Sequence, residues 1–335
     1  MIPIGRSGLV AHLGAGAGEA KIRMFLSLLL PKLRGTPLLV VRGTPVAAIA
    51  DSLGISVEKV ESQIGSGFTR VTNAVEAMLD ACVESVIGIG GDGTLAAIAN
   101  TIIDHGSSAR LLGIGAGSSN VGPLVTVRGE DLERLDLSRL VERPIHGIEV
   151  QVNNEPTGIA FNDVVFSNLF FGTNEGARVD LDARAMLNGA RQETRPCSVC
   201  GKKTRIYKNG ALMIDAQDTP IGQIIASPTN DPLPYSGKAI SGLICWGPYL
   251  KKEGVLTAAS AVLIRTQIAQ ADLVAVEPLS LRQVSFGDGD TIEIVGLESG
   301  AVVILDGNPT CALSPDDRVT LYLGRSLLHV YRRMI

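Results

Sequence analysis

The side chain with the clearest chemical potential is Asp92, which stands among glycines directly after an apolar segment. Residues 86–100 read VIGIGGDGTLAAIAN, and Asp92 is the one charged side chain between Glu84 and Asp104. Glycines at a strand end let backbone N–H groups face phosphate oxygens, and the helix that we expect to begin near Thr94 adds the positive end of its dipole. A carboxylate in that setting can orient a hydroxyl nucleophile and accept its proton during phosphoryl transfer.

The same glycine run admits a structural interpretation. An aspartate at a helix start accepts backbone hydrogen bonds and contributes about 1 kcal/mol to stability, and this interpretation is as open as the catalytic one. A Rossmann dinucleotide fingerprint is disfavoured although Gly88, Gly90 and Gly93 have its spacing, because Gly88 lies inside the strand and no acidic residue ends a following strand. A Walker A loop is absent from the chain as well. No Ser-His-Asp set can be assembled from the sequence and no G-x-S-x-G elbow occurs, so hydrolase chemistry is disfavoured.

A parallel sheet is needed to position these loops, and the first 145 residues alternate strand and helix patterns as such a sheet requires. From about residue 145, short strands alternate with glycine, proline and aspartate turns, which indicates an antiparallel sandwich, interrupted by a predicted helix over residues 175–190. We therefore predict an α/β nucleotide-binding domain over residues 1–144, with a doubly wound parallel sheet, and a β-rich substrate-binding domain over residues 145–335. The last segment is a candidate to pack back on the first domain, and the cleft between the domains is the default place for a site.

Composition narrows the classes of partner. The chain has 335 residues, of which 45% are hydrophobic, 19% charged and 4% aromatic, and its net charge is −4. The acidic balance and the lack of a basic block disfavour nucleic acid and anionic membranes. No window reaches about eighteen consecutive apolar residues, and the N-terminus lacks a secretory pattern. We therefore expect a cytoplasmic protein that acts on small molecules, and we expect it to be a homo-oligomer.

Cysteines and histidines give no strong metal pattern. Cys197 and Cys200 form the one close cysteine pair, and no second pair exists to complete a zinc ribbon. A structural or incidental role for this pair is favoured over a redox role or half of an intermolecular metal site. The four histidines, at positions 12, 105, 146 and 329, have no partner at metal-ligand spacing. We expect them to be structural and expect no dedicated metal ligands.

Several polar residues later in the chain have competing interpretations. Asn162 and Asp163 are predicted to lie mid-strand, where they face either solvent or a cleft. Asp-Gly pairs at positions 288–289 and 306–307 are strong hairpin-turn patterns. A run of alternating charges consists of Arg178, Asp180, Asp182 and Arg184. Such a run predicts a solvated face. The alternative is that one of its arginines contacts a triphosphate.

GGDGT after a strand is the signature of the superfamily that contains NAD kinases and diacylglycerol kinases, and the chain resembles that superfamily from about residue 80 onward. Four further stretches resemble, in order, its second glycine-rich loop, the Asn-Glu/Asp motif that contacts a dinucleotide ribose, the segment that lines the cleft, and the closing Asp-Gly hairpin. They are GIGAGSSNVGPL (113–124), AFNDVVF (160–166), YSGKAISG (235–242) and VVILDGNPTCALSPDDRVTLYL (302–323). The Gly-Ser-Ser-Asn loop, GAR at 176–178 and AISGL at 239–243 are most similar to the acetoin-catabolism protein X (AcoX) relatives of NAD kinase.

The resemblance implies an ATP-dependent kinase that phosphorylates a hydroxyl of NAD or a related metabolite, with Asp92 as the catalytic residue and Mg²⁺ carried with ATP. The implied phosphate and nucleotide contacts are Gly90, Gly91, Gly93, Thr94, Gly115, Gly117, Ser118, Ser119 and Asn120, and the implied acceptor contacts are Asn162, Asp163, Tyr235 and Ser236.

Two departures from the superfamily pattern leave the acceptor open. HLGAGAGEAK (12–21) stands where many members have an Asn-Pro-x-Ser-Gly turn, and ASPTNDPLPYSGKA replaces the Thr-Gly-Ser-Thr-Ala-Tyr run of NAD kinases. A non-catalytic nucleotide-binding or regulatory protein and a lipid kinase of the diacylglycerol type stay as alternatives.

Overall fold

The computed structural model describes residues 4–13, 19–63, 65, 67–117, 122–174, 177–229, 253–266 and 268–333. The chain forms two compact units. The first consists of Met1–Ile145 with Ser326–Ile335, and the second of His146–Arg325. Within the described residues, no helix is long enough and apolar enough to cross a membrane.

The first unit contains a parallel sheet of short strands, most of which are buried. Its strands are β1 (Ser7–Ala11), β2 (Leu38–Val41), β3 (Glu58–Val60), β4 (Ser85–Gly90), β5 (Arg110–Gly115) and the two-residue β6 (Val127–Arg128). The first five lie in the order β3-β2-β1-β4-β5, and β6 pairs with β5. The chain thus runs outward from β1 to β3 and then returns to start β4 on the other side of β1. This reversal is the topological switch point of a doubly wound sheet.

Helices follow the strands of this unit as the sequence predicts. They are α1 (Glu19–Leu29), α2 (Pro45–Ser52), α3 (Gly67–Asp80) and α4 (Asp92–Asp104), with 3-10 helices at Leu30–Leu33, Gly129–Arg134 and Leu137–Arg139. Leu95, Ile98 and Ile102 of α4 are fully buried and stand at helical spacing, so one face of this helix packs into the core. The predicted α/β architecture is confirmed at this level.

The second unit is rich in antiparallel strands, some of which extend beyond it. Its strands are β7 (Leu140–Val152), β8 (Glu155–Ala160), β9 (Val164–Ser167), β10 (Leu169–Asn174), β11 (Ala177–Asp182), β12 (Cys200–Lys208), β13 (Ala211–Asp215), β14 (Gln223–Pro228), β15 (Gly254–Ala259), β16 (Leu281–Phe286), β17 (Thr291–Leu297), β18 (Val302–Leu305), β19 (Asn308–Ala312) and β20 (Val319–Arg333). Within the described residues of this unit, the strands are interrupted by the helices α5 (Ala183–Leu187) and α6 (Gln270–Val276).

These strands form two larger antiparallel arrays and one hairpin. One array has the order β16-β15-β14-β9-β18-β19, the other contains β13-β12-β17-β20, and β10 pairs with β11. Buried side chains of both arrays belong to one apolar cluster, for example Phe166 and Phe286 of the first and Ile206 and Ile294 of the second. The second unit therefore has its own hydrophobic core, enclosed by β-structure.

The predicted helix over residues 175–190 is wrong for most of its length. Residues 177–182 pair with β10 as strand β11, and among the described residues of this range only Ala183–Leu187 are helical. Asp182 begins the helix by accepting the backbone N–H of Ala185 over 2.7 Å. An apolar residue at every second position of the first half fits a hairpin as well as a helix, and pairing with β10 decides between them.

The predicted solvated face over the same charged run is also wrong for its central members. Asp180 is only 2% exposed and accepts a backbone N–H over 2.7 Å. Asp182 caps α5. Arg184 is exposed, as the prediction requires, although its guanidinium also donates to the carbonyl of Leu313 over 2.8 Å. Each of these side chains therefore satisfies backbone groups inside the second unit, which alternating charge alone does not reveal.

Candidate functional site

The residues that directly follow β1, β4 and β5 lie side by side at the switch point. The His12 N–H, just after β1, donates to the carbonyl of Ile89 over 2.9 Å. The Ala116 N–H, just after β5, donates to the carbonyl of Gly90 over 2.7 Å. In parallel α/β sheets, ligands bind outside the carboxyl ends of the strands at this point. The two glycine-rich loops of the sequence therefore meet where such a fold places its ligands.

Close packing explains the glycines at the junction of β4 and α4. A Cβ atom on Gly90 would lie 2.6 Å from the Thr94 Cβ and 3.0 Å from the carbonyl oxygen of His12. A Cβ atom on Gly91 would lie 3.5 Å from the Cα of Gly117, in ordinary van der Waals contact. The side chain of Thr94 is 5% exposed and fills the space beside Gly90. The backbone of the first loop thus packs directly against the second.

Asp92 connects these two loops through its carboxylate. It is the first residue of α4, whose N-cap is Gly91, and α4 has no side-chain cap at this end. The Gly122 N–H of the second loop donates to Asp92 Oδ1 over 2.9 Å. Asp92 is therefore not the N-cap of α4, because Gly91 occupies that position. The helix also begins two residues earlier than the sequence predicted.

Basic side chains stand at the same edge of the sheet. Lys21 Nζ donates to the carbonyl of Ala116 over 2.9 Å, and it lies 5.8 Å from the ring centroid of Phe25. Burial lowers the pKa of His12, and the positive charge of Arg70 lowers it further. His12 is therefore neutral at pH 7, while Lys21 places a positive charge beside the second glycine loop. The sequence prediction overlooked Lys21, since nothing local links it to a loop nearly a hundred residues later.

Asn162 and Asp163 lie in a bend between β8 and β9, so the prediction that they sit mid-strand is wrong. The buried carboxylate of Asp306 causes the bend by accepting the N–H groups of Phe161, Asn162 and Asp163 over 2.9, 2.7 and 3.0 Å. These amides therefore take a carboxylate instead of a neighbouring strand as their acceptor. Within the bend, Asn162 Nδ2 donates to Asp163 Oδ2 over 3.1 Å.

Asp306 stands on the hairpin between β18 and β19, as its Asp-Gly pattern predicts. Asp306 and Gly307 have φ angles of +50° and +81°, the left-handed values that such a tight turn requires. Burial, and then the negative charge of Asp163, raise the pKa of Asp306 to about 7, against the opposing effect of the three backbone N–H groups. The sequence identified the turn but missed the contact with the Asn162–Asp163 bend. The Asp-Gly pair in a family-like position was the one available indication.

Five predicted site residues lie outside the described residues: Ser118, Ser119, Asn120, Tyr235 and Ser236. Within the described part of the chain, no group of three or more His, Cys, Asp or Glu side chains could hold a metal ion. Burial, and then Glu298, raise the pKa of Cys200 to about 12. Burial, and then Asp182, raise that of Cys197. Neither cysteine is a thiolate at pH 7, which disfavours a redox role for the pair.

Comparisons with known proteins place this geometry in a recognised fold. No family model matches the chain. A protein of Archaeoglobus fulgidus, described as an uncharacterized protein, is 29% identical over 299 residues, which cover 89% of this chain and 89% of that protein. Yeast NADH kinase, solved in complex with NADH, has a TM-score of 0.53 at 10% identity and covers 99% of this chain and 84% of that one. A putative diacylglycerol kinase from Bacillus anthracis str. Sterne has a TM-score of 0.54 at 14% identity and covers 98% of this chain and 99% of that one.

The chain therefore has the fold shared by NAD kinase-like and diacylglycerol kinase-like proteins. The predicted resemblance is confirmed at the level of this fold, which combines an α/β part with a β-rich part. Identities of 10% and 14% carry no more than the fold. The similarity to the acetoin-catabolism subgroup stays a prediction.

Proposed function

We propose that this chain is an ATP-dependent kinase that transfers a phosphoryl group to a hydroxyl of NAD or a related metabolite. The observation that carries the proposal is the position of Asp92. Its half-buried carboxylate stands at the carboxyl end of β4, and the Gly122 N–H donates to Oδ1 over 2.9 Å. A carboxylate held in one orientation beside glycine-rich loops suits a base that aligns a hydroxyl and takes its proton.

The triphosphate would lie along the two glycine loops of the first unit. Backbone N–H groups and the N-terminus of α4 would face its oxygens, and Lys21 would add positive charge beside the second loop. The proposed contact residues are Gly90, Gly91, Gly93, Thr94, Gly115, Gly117, Ser118, Ser119 and Asn120. As the resemblance implies, Mg²⁺ would be carried with ATP and bound mainly by its phosphates.

The acceptor would be held by the second unit. Asn162 and Asp163, fixed in their bend by Asp306, would bind a sugar or diol, together with Tyr235 and Ser236. The structure of yeast NADH kinase in complex with NADH supports an acceptor of the NAD type. The AcoX-like stretches of the sequence favour that subgroup, and the proposed acceptor is NAD or another hydroxylated metabolite.

The proposed reaction is an in-line displacement at the γ-phosphorus. The acceptor oxygen forms a bond to this phosphorus while the bond to the bridging oxygen of ADP breaks. The hydroxyl proton passes to the carboxylate of Asp92. Most of the rate enhancement in such a step comes from positioning and electrostatics, so one oriented carboxylate is sufficient on the acceptor side.

Replacement of Asp92 by asparagine separates the catalytic role from a structural one. In Asp92→Asn, an amide oxygen can still accept the Gly122 N–H, but the side chain no longer accepts a proton. We expect NADP formation from ATP and NAD to fall by at least about 100-fold, with nucleotide binding and thermal stability unchanged. Asp104→Asn is the matched control, since Asp104 is exposed at the other end of the same helix.

The alternatives give different results in the same assay. Retained activity in Asp92→Asn would contradict the catalytic role. Wild-type protein that binds nucleotide but consumes no ATP with NAD or a panel of hydroxylated metabolites would indicate a non-catalytic binding protein. Phosphorylation of diacylglycerol in vesicles, without phosphorylation of NAD, would indicate a lipid kinase, an alternative favoured by the diacylglycerol kinase-like structures of the same fold.

A further inference from the structure

Arg332, near the end of β20, binds the segment that contains Gly122, the residue whose N–H donates to Asp92. Arg332 Nη1 donates to the carbonyl of Val125 over 2.6 Å, and Nη2 donates to the carbonyl of Pro123. Both carbonyls belong to the short segment between Gly122 and β6. Gly122 is the residue whose N–H donates to Asp92 Oδ1. A single guanidinium thus binds the backbone one and three residues after the amide that orients the proposed base.

Two strands hold the other end of this segment. Thr126 Oγ1 donates to the carbonyl of Tyr331 in β20 over 2.7 Å and accepts the Gly113 N–H of β5 over 3.2 Å. The Thr126 N–H donates to the carbonyl of Gly113 over 2.8 Å. A turn closes the segment, since the Val125 N–H donates to the carbonyl of Gly122 over 3.2 Å. The direction of the Gly122 N–H is therefore fixed from β5 and from β20.

We propose that Arg332 is a positioning residue for Asp92. This inference rests on the proposed function, because Arg332 would act through Asp92 in the phosphoryl transfer. The guanidinium holds the carbonyls of Pro123 and Val125 on one side of the segment. The Gly122 N–H consequently points at the carboxylate, and Asp92 keeps the orientation that a base requires.

The fork geometry of arginine is what this role needs. A guanidinium is planar and donates to two acceptors in a fixed arrangement, whereas a lysine ammonium is a point donor on a flexible stem. Arg332→Lys should therefore keep the charge but hold the two carbonyls less firmly. Arg332→Met keeps much of the apolar stem and removes every donor. Arg333, the next residue, has an exposed side chain, and Arg333→Met is the matched control.

The test combines kinetics with hydrogen exchange of the backbone amides. In Arg332→Met we expect kcat to fall by about 10- to 100-fold, with KM for ATP and for NAD within about two-fold of wild type, because the carboxylate is misplaced while the binding groups stay. Arg332→Lys should lie between wild type and Arg332→Met. The amides of Gly122, Val125 and Thr126 should exchange faster in both variants than in wild type or Arg333→Met.

Two results would overturn the inference. Wild-type exchange rates at Gly122 in Arg332→Met would show that the guanidinium does not hold the segment. Faster exchange with unchanged kcat would show that the segment does not position the base. If the wild-type protein has no kinase activity, the proposed function is wrong, and Arg332 has no role in catalysis. The exchange rates would still show whether Arg332 holds the segment that contains Gly122. Should Arg332→Met fail to fold, Arg332→Lys provides the same comparison.

Discussion

Two aspartates of this protein show how differently one side chain can be used. Asp306 is buried and directs both carboxylate oxygens at backbone amides of the Asn162–Asp163 bend. Asp92 is half-buried, and its Oδ1 accepts the backbone N–H of Gly122 from a glycine loop. The first arrangement uses the acceptor capacity of the carboxylate to shape the backbone. The second connects the carboxylate to a neighbouring loop and leaves it partly exposed, as expected of a group that has to exchange a proton.

The environment of Asp306 predicts a specific pH dependence of stability. Its folded-state pKa of about 7 is above the ordinary value of 3.8, because burial and Asp163 disfavour the charged form. Between these two values the folded state keeps a proton that the unfolded state has lost. The contribution of this group to the free energy of unfolding is therefore fully present below about pH 4, falls as the pH rises, and is lost above about pH 7.

Asp306→Asn should remove that slope, since asparagine does not titrate. Urea unfolding of wild type and variant at several pH values between 4 and 8 measures the difference. The control is Asp288→Asn, which changes another Asp-Gly turn whose aspartate side chain is 70% exposed. An identical pH dependence in wild type and Asp306→Asn would contradict the assigned pKa and its cause.

At the scale of elements, the junction of β4 and α4 depends on a glycine that no other residue can replace without movement. Gly90→Ala would place a methyl group 2.6 Å from Thr94 and 3.0 Å from the backbone of His12. We expect it to lower the free energy of unfolding by roughly 1–3 kcal/mol. In Gly91→Ala the new methyl group would lie 3.5 Å from its nearest atom, the Cα of Gly117. We expect this variant to lower the free energy of unfolding by only about 0.5 kcal/mol, mainly because alanine is a poorer N-cap residue than glycine. Chemical denaturation of the pair measures both, and an equal loss would contradict this account of the packing.

Local periodicity was sufficient for most elements of the first unit, because its strands are continuous apolar runs and its helices are amphipathic. It failed where a distant residue decides the backbone conformation. Asn162 and Asp163 leave the strand because of a carboxylate more than 140 residues away. Residues 177–182 form a strand because β10 pairs with them. In the same way, the glycine run predicted that Asp92 is chemically special, but its bond to Gly122 depends on the packing of two loops.

At the scale of the whole molecule, the length of β20 is the feature that local sequence patterns do not predict. The residues DRVTLYLG (317–324) have the pattern of one of the short strands expected in the second half of the chain, yet β20 runs from Val319 to Arg333. Gly324 is a residue type that often ends a strand, and Ser326 has a positive φ of 51°, which is typical of a turn. The strand continues because its last residues pair with β5, where Val330 lies opposite Leu111.

Removal of the residues after Arg325 should therefore destabilise the first unit. It eliminates the pairing with β5, the buried ring of Tyr331 and the hydrogen bond between Tyr331 and Ser85, which spans 3.0 Å. We expect loss of protected amides in β5 and rapid proteolysis of the first unit. Tyr331→Phe, which removes only the hydroxyl, should cost about 1 kcal/mol. Hydrogen exchange and limited proteolysis measure these effects, and full protection of β5 in the shortened chain would contradict the role assigned to β20.

The route of β20 also has a consequence for biosynthesis. The ribosome makes residues 326–333 after all of the second unit, so the glycine loops emerge long before the strand that braces them. The first unit therefore lacks its last segment while the ribosome translates some 180 codons of the second unit. Its final closure, and with it the alignment of Asp92, becomes one of the last events in the maturation of the nascent chain.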